Sequence, residues 1–305
     1  MYWSRFSTYE NCSQEYLWKY GWGDIDLGAG PGKPKPSFIQ ESEHNTITGR
    51  VMSYILEQLY NQELYKSPTT LLDTLDELAR VELRRQLQKS YIDWNKADSH
   101  ASMERDVLYA IRNLITTMKG QRLLGNYAKS EVDLIGWIQK GKYPIGGRAD
   151  LILRQDPGGI SIWDGKMTKW KEKYSDPDQL LWYALCFYLA YKILPERLGW
   201  IWFRFPYGST DEESGETELG ITEISFTEQD ILDLSTRAIE AHDSLNAGVF
   251  FANPVPSHCK FCTYQTVCPE RIEQRAQNSK KRDKTGIIKL TEDLDVFEIG
   301  DLDVE

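Results

Sequence analysis

Two aspartates and a lysine stand close together in the stretch GGRADLILRQDPGGISIWDGK, residues 146–166. The DPGG segment is a turn signal between two runs that alternate apolar and polar residues, so the stretch predicts a β-hairpin. If the turn is centred near Pro157, Asp150 lies opposite Asp164 on the neighbouring strand, with the two side chains about 5 Å apart. Lys166 is two positions beyond Asp164 and therefore projects from the same face.

Two carboxylates at this separation repel each other unless a cation lies between them, and magnesium and manganese are bound through carboxylate oxygens. A neighbouring lysine can hold a phosphate or help to deprotonate a water molecule. We therefore expect a metal-dependent site for phosphodiester hydrolysis, in which Asp150 and Asp164 bind the metal and Lys166 assists. The alternative is a surface hairpin with solvated charges, which is the usual meaning of an isolated D…DxK pattern.

A helix that begins after the hairpin adds two polar side chains. Asp176 is a typical N-cap, Pro177 suits the first helical position, and Gln179 completes a pair that resembles a capping box. Gln179 and Tyr183 lie one turn apart on one face of this helix. Either both side chains support the site, or Gln179 only caps and Tyr183 only packs. Glu131, which precedes the hairpin, is a candidate third carboxylate, and an ordinary exposed glutamate is the alternative.

A cysteine cluster near the end of the chain, HCKFCTYQTVCPE at residues 258–270, indicates a second metal site. Its three cysteines are Cys259, Cys262 and Cys268. An odd total of five cysteines, most of them in one cluster, suits a metal site in a reducing compartment better than a disulfide framework. Three cysteines with His258 can hold zinc, four thiolates suit zinc or an iron–sulfur cluster, and free thiols are the remaining alternative. Cys186 lies in the apolar stretch LLWYALCFYLAYKI and is expected to be buried.

The remaining sequence predicts the elements that must position these groups. Apolar residues at helical spacing predict helices at residues 48–64, 70–87, 102–118 and 228–245. Alternating patterns predict strands at residues 143–153, 159–163, 198–205 and 219–226. Near the N-terminus, Ser7 is a candidate N-cap for a helix that carries Cys12, Tyr16 and Tyr20. A connection rich in Gly and Pro follows at residues 21–37.

Composition limits the class of protein. The chain has 305 residues, of which 41% are hydrophobic and 27% charged, so it can bury a large core. The most apolar segment, residues 180–194, is shorter than the roughly 20 residues that span a bilayer, and we expect a soluble, cytoplasmic protein without a membrane partner.

Net charge bears on the choice of partner. The net charge is −10, but residues 291–305 contain seven acidic residues and no basic one, and removing these seven charges leaves −3. A local basic groove for DNA is compatible with that balance, and the acidic tail is a candidate contact for a protein partner.

Three short motifs resemble, in order and spacing, those of the RecB-like branch of the PD-(D/E)XK nucleases. They are G-x-x-D at residues 147–150, D-x-K at residues 164–166 and Q-x-x-x-Y at residues 179–183, and a C-x2-C-x5-C motif follows them. The pattern is similar to that of the iron–sulfur members of this branch, the AddB-type repair nucleases and the CRISPR-associated spacer-acquisition exonucleases. The resemblance runs from Ser4 to about Cys268.

The resemblance implies an α/β fold with a restriction-endonuclease-like core, which is a mixed central sheet flanked by helices. It adds a helical N-terminal region and a C-terminal iron–sulfur clasp. Together with the helical spacing and the charge of the tail, the resemblance divides the chain into an N-terminal clasp segment at 1–20, a mainly helical region at 21–120, the nuclease core at 121–250, the C-terminal clasp at 251–278 and an acidic, disordered tail at 279–305.

Roles for individual residues follow from the same resemblance. Asp150 and Asp164 would hold magnesium or manganese, and Lys166 would assist the attack on the phosphodiester. Glu131 matches the acidic residue that the family carries upstream of the hairpin. Gln179 and Tyr183 would lie beside the active site and contact DNA.

One position departs from the family pattern. Such nucleases often carry a metal-binding histidine in an early helix, as G-x-x-x-H, whereas here the segment from Gly49 ends in Ser53. His44 is nearby but has the wrong spacing, and we expect it in a loop. Because the family histidine binds metal, Ser53 bears on the number of metal ions, the metal preference and the level of activity.

The resemblance also supplies a fourth cysteine. Iron–sulfur members carry a segment similar to S-x-L-x-x-Y-x-x-C-P near the N-terminus, and SRFSTYENC ends here in Cys12, with Ser13 in place of proline. Cys12 together with Cys259, Cys262 and Cys268 would then bind a 4Fe-4S cluster, with zinc as the alternative.

The expected function is that of a metal-dependent DNA exonuclease acting on single-stranded or end-containing DNA, in DNA repair, recombination, or phage or CRISPR DNA processing. Two other functions stay open at this point. The first is a non-catalytic DNA-binding or assembly factor that retains the nuclease fold, which the serine at position 53 motivates. The second is a zinc-stapled interaction protein whose acidic tail recruits a partner or screens a DNA groove.

Overall fold

The computed structural model of the chain describes residues 1–20, 44–90, 92, 99–124, 127–139, 141–154, 159–210, 216–259, 262, 264, 268–271 and 273. The connection expected at residues 21–37 and the acidic tail at residues 279–305 lie outside the described residues, as does the centre of the DPGG turn.

A five-stranded sheet forms the centre of the described structure. Its strands are β1 (Tyr127–Ile138), β2 (Tyr143–Arg154), β3 (Ile160–Lys166), β4 (Arg197–Trp202) and β5 (Ile221–Ile224), and they lie side by side in this order. Strands β3 and β4 are parallel and the other neighbours are antiparallel, so the sheet is mixed as expected. The sequence did not predict β1. β4 is shorter than its predicted range because the chain turns at Phe203.

Helices lie before, between and after the strands. They are α1 (Trp3–Asn11), α2 (Ser13–Tyr20), α3 (His44–Asn61), α4 (Leu71–Lys89), α5 (His100–Gly120), α6 (Lys171–Tyr174), α7 (Pro177–Tyr191), α8 (Glu228–Asn246) and α9 (Pro256–Cys259), with a short 3-10 helix at Leu64–Lys66. The predicted helices at residues 48–64, 70–87, 102–118 and 228–245 are confirmed as α3, α4, α5 and α8. Among the described helices, none combines the length and apolar character that crossing a bilayer requires.

The prediction of one N-terminal helix capped by Ser7 is wrong. The helix begins at Trp3, so Ser7 lies inside it, and it ends at Asn11. Cys12 has extended backbone angles (φ −163°, ψ 104°) between α1 and α2. Cys12 therefore lies between the two helices, and its carbonyl accepts from the backbone N–H of Tyr16, in the first turn of α2, at 3.0 Å.

Each face of the sheet is covered by a separate set of helices. On one face, Leu151, Leu153 and Trp163 pack in a core with α3, α4 and α5. On the other face, Ile152 and Ile162 pack with α7, α8 and α1. Helix α7 buries eight consecutive residues from its fourth position onward, including Cys186, which is fully buried as expected. This arrangement is a mixed sheet flanked by helices, and it places the start of α7 against the end of β3.

Candidate active site

The β2–β3 hairpin has the register that brings the two aspartates together. Leu151 pairs with Trp163, and the next positions along the two strands are Asp150 and Asp164. The backbone N–H of Gly165 donates to Asp150 Oδ2 at 2.9 Å. The carboxyl group of Asp150 therefore lies against the strand that carries Asp164 and Lys166.

Gln179 joins the strand residues to helix α7. Its Nε2 donates to Asp164 Oδ1 at 3.1 Å and to the hydroxyl oxygen of Tyr183 at 2.9 Å. Its Oε1 accepts from Lys166 Nζ at 3.1 Å. One amide thus contacts three of the predicted site residues, and the expectation that Gln179 completes a capping pair is not met. Asp176 alone caps α7, by accepting from the backbone N–H of Asp178.

Lys166 forms an ion pair with the buried carboxylate of Asp164, with Nζ 2.6 Å from Oδ2. The side chain of Asp164 is almost fully buried, whereas that of Lys166 is one-fifth exposed. Because removing one partner would leave the other charge buried, the pair depends on both residues. Lys166 is thus the more accessible member of the pair.

Burial and like charge both act on the aspartates. Burial and the neighbouring Asp164 charge raise the pKa of Asp150 well above its ordinary range, while the hydrogen bond from Gly165 acts against this shift. Burial also raises the pKa of Asp164, and Lys166 opposes that effect. A cation bound between the carboxylates would offset the cost of burying their charges and their mutual repulsion, so the donor set fits a divalent ion such as magnesium or manganese.

Tyr183 is held close to the backbone of β2. A Cβ added to Gly147 would lie 3.1 Å from Tyr183 Cδ1, which is tighter than ordinary contact. The glycine of the G-x-x-D motif therefore lets the tyrosine ring lie close against the strand. Burial and the nearby aspartates raise the pKa of Tyr183, so its hydroxyl group stays protonated.

Glu131 lies on β1 beside Asp150. Ser130 pairs with Leu151 and Val132 pairs with Ala149, so Glu131 lies across from Asp150 on the neighbouring strand. The backbone of Glu131 is left-handed, with φ 50°, a conformation that costs energy in a non-glycine residue and is often found at functional sites. Its negative charge contributes to the raised pKa of Asp150. Glu131 is therefore a neighbour of the two aspartates, and its role as a third carboxylate stays a prediction.

Two charged neighbours of Glu131 were not predicted from the sequence. Burial raises the pKa of Glu131, the positive charge of Arg148 opposes this, and the negative charge of Glu57 adds to it. Glu57 lies one turn after Ser53 on α3 and accepts a hydrogen bond from Asn61 at 3.3 Å. Because Glu57 is four residues after Ser53, both lie on the same face of α3. This spacing is the sequence signal that could have identified Glu57.

His44 does not take the place of the missing histidine. The expectation that it belongs to a loop is wrong, because it is the first residue of α3 and its Nε2 lies 3.1 Å from Asp106 Oδ2. Ser53 is half-buried on α3.

The predicted clasp cysteines line one small cavity. Cys12, Cys259, Cys262 and Cys268 all contribute to its wall, together with Glu15 and His258. His258 is engaged by Glu15, with Nε2 2.6 Å from Oε2. Burial raises the pKa of Cys262 to about 11. The four thiols border this cavity, but nowhere in the described ranges are three or more His, Cys, Asp or Glu side chains arranged to hold a metal ion, so a metal centre here stays a prediction.

The N-terminal segment, residues 1–20, and the C-terminal segment around Phe251 and Tyr264 meet beside this cavity. Ser13 Oγ donates to the carbonyl of Phe251 at 3.0 Å and accepts from its N–H at 2.8 Å. The rings of Trp18 and Tyr264 lie 5.4 Å apart. The side chain of Ser13 therefore joins the two segments.

Comparisons with known proteins give the family. Residues 3–269 match the family model of the PD-(D/E)XK nuclease superfamily. No curated protein matches the chain. A solved structure described as "Crystal structure of SSO0001" is 17% identical, with a TM-score of 0.31, and the alignment covers 77% of this chain and 90% of that chain. Because the family model matches most of the chain, the protein belongs to the PD-(D/E)XK nuclease superfamily.

Proposed function

We propose that the protein is a metal-dependent deoxyribonuclease that acts as an exonuclease on single-stranded or end-containing DNA. The observation that carries the proposal is the hydrogen-bonded group formed by Asp164, Lys166, Gln179 and Tyr183 next to Asp150, in a chain of the PD-(D/E)XK nuclease superfamily. Such an exonuclease would act in DNA repair, in recombination, or in phage or CRISPR DNA processing.

In this proposal, Asp150 and Asp164 hold magnesium or manganese, with Glu131 as a third carboxylate. The bound ion would polarise the phosphodiester and lower the pKa of the attacking water. Lys166 Nζ is held between Asp164 and Gln179, which keeps its charge where a scissile phosphate meets the carboxylates.

Gln179 and Tyr183 support this arrangement from α7. Gln179 fixes the orientations of both the carboxylate and the ammonium group. The hydroxyl group of Tyr183 accepts from Gln179, so its own proton is available to donate to a DNA phosphate.

The nuclease proposal is tested with end-labelled single- and double-stranded oligonucleotides and with circular single-stranded DNA, each with magnesium or manganese. An exonuclease shortens the linear substrates and leaves the circle intact. Asp164→Ala and Lys166→Ala are expected to abolish digestion, whereas Asp233→Ala and Lys66→Ala, at exposed positions far from the site in the chain, should digest at the native rate. Undiminished digestion by the first two variants would contradict the site, and cutting of the circle would contradict exonuclease action.

The second candidate function is a DNA-binding or assembly factor without catalysis, favoured by Ser53 at the position of the family histidine. DNA binding that needs no metal, with no cleavage of any of the substrates, would support it. The acidic residues 291–305 are the proposed contact for a protein partner or a screen of the DNA groove. Unchanged DNA affinity and partner binding after their deletion would contradict that part of the proposal.

We further propose that Cys12, Cys259, Cys262 and Cys268 bind a 4Fe-4S cluster, with zinc as the alternative. The shared cavity and the contacts between Ser13 and Phe251 support this. The protein purified without oxygen should contain iron and sulfide and absorb visible light, and Cys12→Ala should lose both, whereas Cys186→Ala should retain them. Zinc in place of iron would establish the alternative, and neither metal in the intact protein would contradict a metal centre.

A further inference from the structure

A short segment leaves the active site and comes back to it. The chain departs at Lys166, at the end of β3, and returns at Gln179, in the first turn of α7. The Nζ of Lys166 donates to Oε1 of Gln179 at 3.1 Å, so both ends of the segment are joined at the site. We call residues 167–178 the site loop. Its twelve residues cannot extend far from the carboxylates, because both of its ends are fixed beside them.

The site loop carries two aromatic residues among three lysines, and its three acidic residues, Glu172, Asp176 and Asp178, balance the charge of the lysines. Its sequence is MTKWKEKYSDPD, in which lysines occupy positions 169, 171 and 173. The side chains of Trp170 and Tyr174 are 56% and 42% exposed. Two large rings four residues apart are thus presented to solvent next to a site for phosphodiester chemistry.

Contacts with the body of the protein hold the site loop in place. Its first two residues, Met167 and Thr168, are buried, and Thr168 Oγ1 accepts from the backbone N–H of Trp170 at 3.1 Å. Lys171 forms an ion pair with Glu218, and its Nζ lies 4.3 Å from the centre of the Phe205 ring. Lys171 therefore serves as an anchor, and the exposed rings on either side of it are presented from a fixed backbone.

Exposed aromatic rings interleaved with lysines are suited to unpaired bases. Each base has a flat face that can stack on an aromatic ring, and lysines attract the phosphates between successive bases. Bases inside a duplex are already stacked on one another and cannot reach such rings. The site loop therefore favours a strand whose bases are unpaired where it approaches the carboxylates.

We propose that the site loop is the docking surface for single-stranded DNA, with Trp170 and Tyr174 stacking on bases and the exposed Lys169 contacting the backbone. This inference rests on the proposed nuclease function and deepens it, because it assigns the substrate as the single strand and names the residues that select it. A duplex end would have to fray before its strand could occupy this surface.

The experiment measures binding of fluorescein-labelled oligonucleotides by anisotropy in EDTA, where metal-dependent cleavage does not occur. Trp170→Ala and Tyr174→Ala should each weaken binding of oligothymidylate about 5- to 100-fold. Trp170→Phe should retain most of the affinity, because a ring remains. An abasic strand of the same length should bind all of these variants as it binds the native protein. Trp137→Ala is the matched control, since this tryptophan is 52% exposed on β1.

Three results would overturn the inference: native affinity in Trp170→Ala and Tyr174→Ala, an equal loss in Trp137→Ala, or an equal loss for the abasic strand. Tighter binding of RNA of the same sequence would overturn the choice of DNA. The measurement is independent of cleavage, so the two proposals can fail separately. If the protein cleaves DNA but Trp170→Ala leaves binding unchanged, only the site-loop proposal is contradicted. If binding depends on Trp170 but no substrate is cleaved, only the nuclease proposal is contradicted.

Discussion

Gln179 is the residue on which the geometry of the candidate site depends. Its amide donates to Asp164 and Tyr183 and accepts from Lys166, so the same side chain orients an acid, a base and a phenol. No other residue type of this size has a donor and an acceptor arranged for all three contacts. Gln179 is a positioning residue, because the groups it contacts carry the proposed chemistry.

Gln179→Ala is expected to lower kcat about 10- to 100-fold, because Asp164 and Lys166 lose a common partner and move from their productive positions. The fold should survive, since Gln179 is at the partly exposed start of α7. Gln229→Ala removes a similar amide-to-aspartate bond at an exposed position on α8 and serves as the control. Steady-state cleavage rates separate the two, and a Gln179→Ala enzyme with native kcat would contradict the positioning role.

Asp150 links the site to the pH dependence of stability. Burial and the Asp164 charge raise its pKa in the folded protein above the value in the unfolded chain. A carboxyl group with a raised pKa contributes stability that is fully present below the unfolded value of about 3.9 and is lost as pH rises through the folded value. Without a divalent ion, the folded protein therefore carries an electrostatic cost at neutral pH.

Asp150→Asn should raise Tm in EDTA at neutral pH and change it little at acidic pH, where the aspartate is protonated. The same variant should lose cleavage and lose the stabilisation that magnesium or manganese gives to the native protein. Thermal unfolding over a pH series, with and without the metal, gives both results. Asp233→Asn, at an exposed position on α8, should show neither effect, and a lower Tm for Asp150→Asn at neutral pH would contradict the electrostatic account.

Among the helices and strands, the site depends on how closely α7 approaches β2. Gly147 permits the approach, since a side chain there would meet the Tyr183 ring at 3.1 Å. Trp182, which precedes Tyr183 in the same helix, donates from Nε1 to the carbonyl of Gly146 at 2.9 Å. Helix and strand are thus fixed to each other at two successive positions, directly beside the aspartates.

Gly147→Ala should destabilise the protein by about 1–3 kcal/mol, because the added methyl group presses on a buried ring. Gly49→Ala is the matched change on α3, where the added methyl group meets only Met167 Cβ at 3.8 Å. It should stabilise by up to about 1 kcal/mol through helix propensity. Denaturant unfolding measures both values, and the cost of Gly147→Ala should fall in a Tyr183→Ala background. An undiminished cost there would show that the ring is not the obstacle.

For the protein as a whole, the N-terminal and C-terminal segments are joined. Ser13 is almost fully buried and exchanges two hydrogen bonds with the backbone of Phe251. Arg237 of α8 pairs with Glu10 of α1, which adds a second link between the N-terminal segment and the later part of the chain. These contacts hold the segment that carries Cys12 against the segment around Phe251, beside the cavity that the four cysteines line.

Ser13→Ala should lower stability by about 1–3 kcal/mol, because both backbone groups of Phe251 lose their partner. It should also expose the N-terminal segment to limited proteolysis before the rest of the chain. Thr8→Ala is the control, since that hydroxyl group bonds only within α1, to the carbonyl of Ser4 at 2.7 Å. Equal effects of the two substitutions on Tm and on the cleavage pattern would argue against a link between the two segments.

Features that depend on neighbours along the chain could be predicted from the amino-acid sequence alone. The register that sets Asp150 opposite Asp164 follows from a local turn and alternation, and helices α3, α4 and α5 follow from apolar spacing. Their physical basis is short-range, so a pattern within a few residues is sufficient. The superfamily, in contrast, is indicated by a resemblance, which rests on the order of the D-x-K and Q-x-x-x-Y motifs along the chain.

Features that depend on residues far apart in the chain required the folded arrangement. Strand β1 was missed because pairing with β2 stabilises it, and its own sequence alternates weakly. The sequence around Gln179 suggests a capping residue, and only the fold shows that its side chain contacts Asp164 and Lys166. His44 pairs with Asp106, and Glu57 approaches Glu131, only because α3 packs on α5 and on the sheet. Such contacts arise when separate elements bury their apolar faces together, and no local pattern encodes which polar side chains then meet.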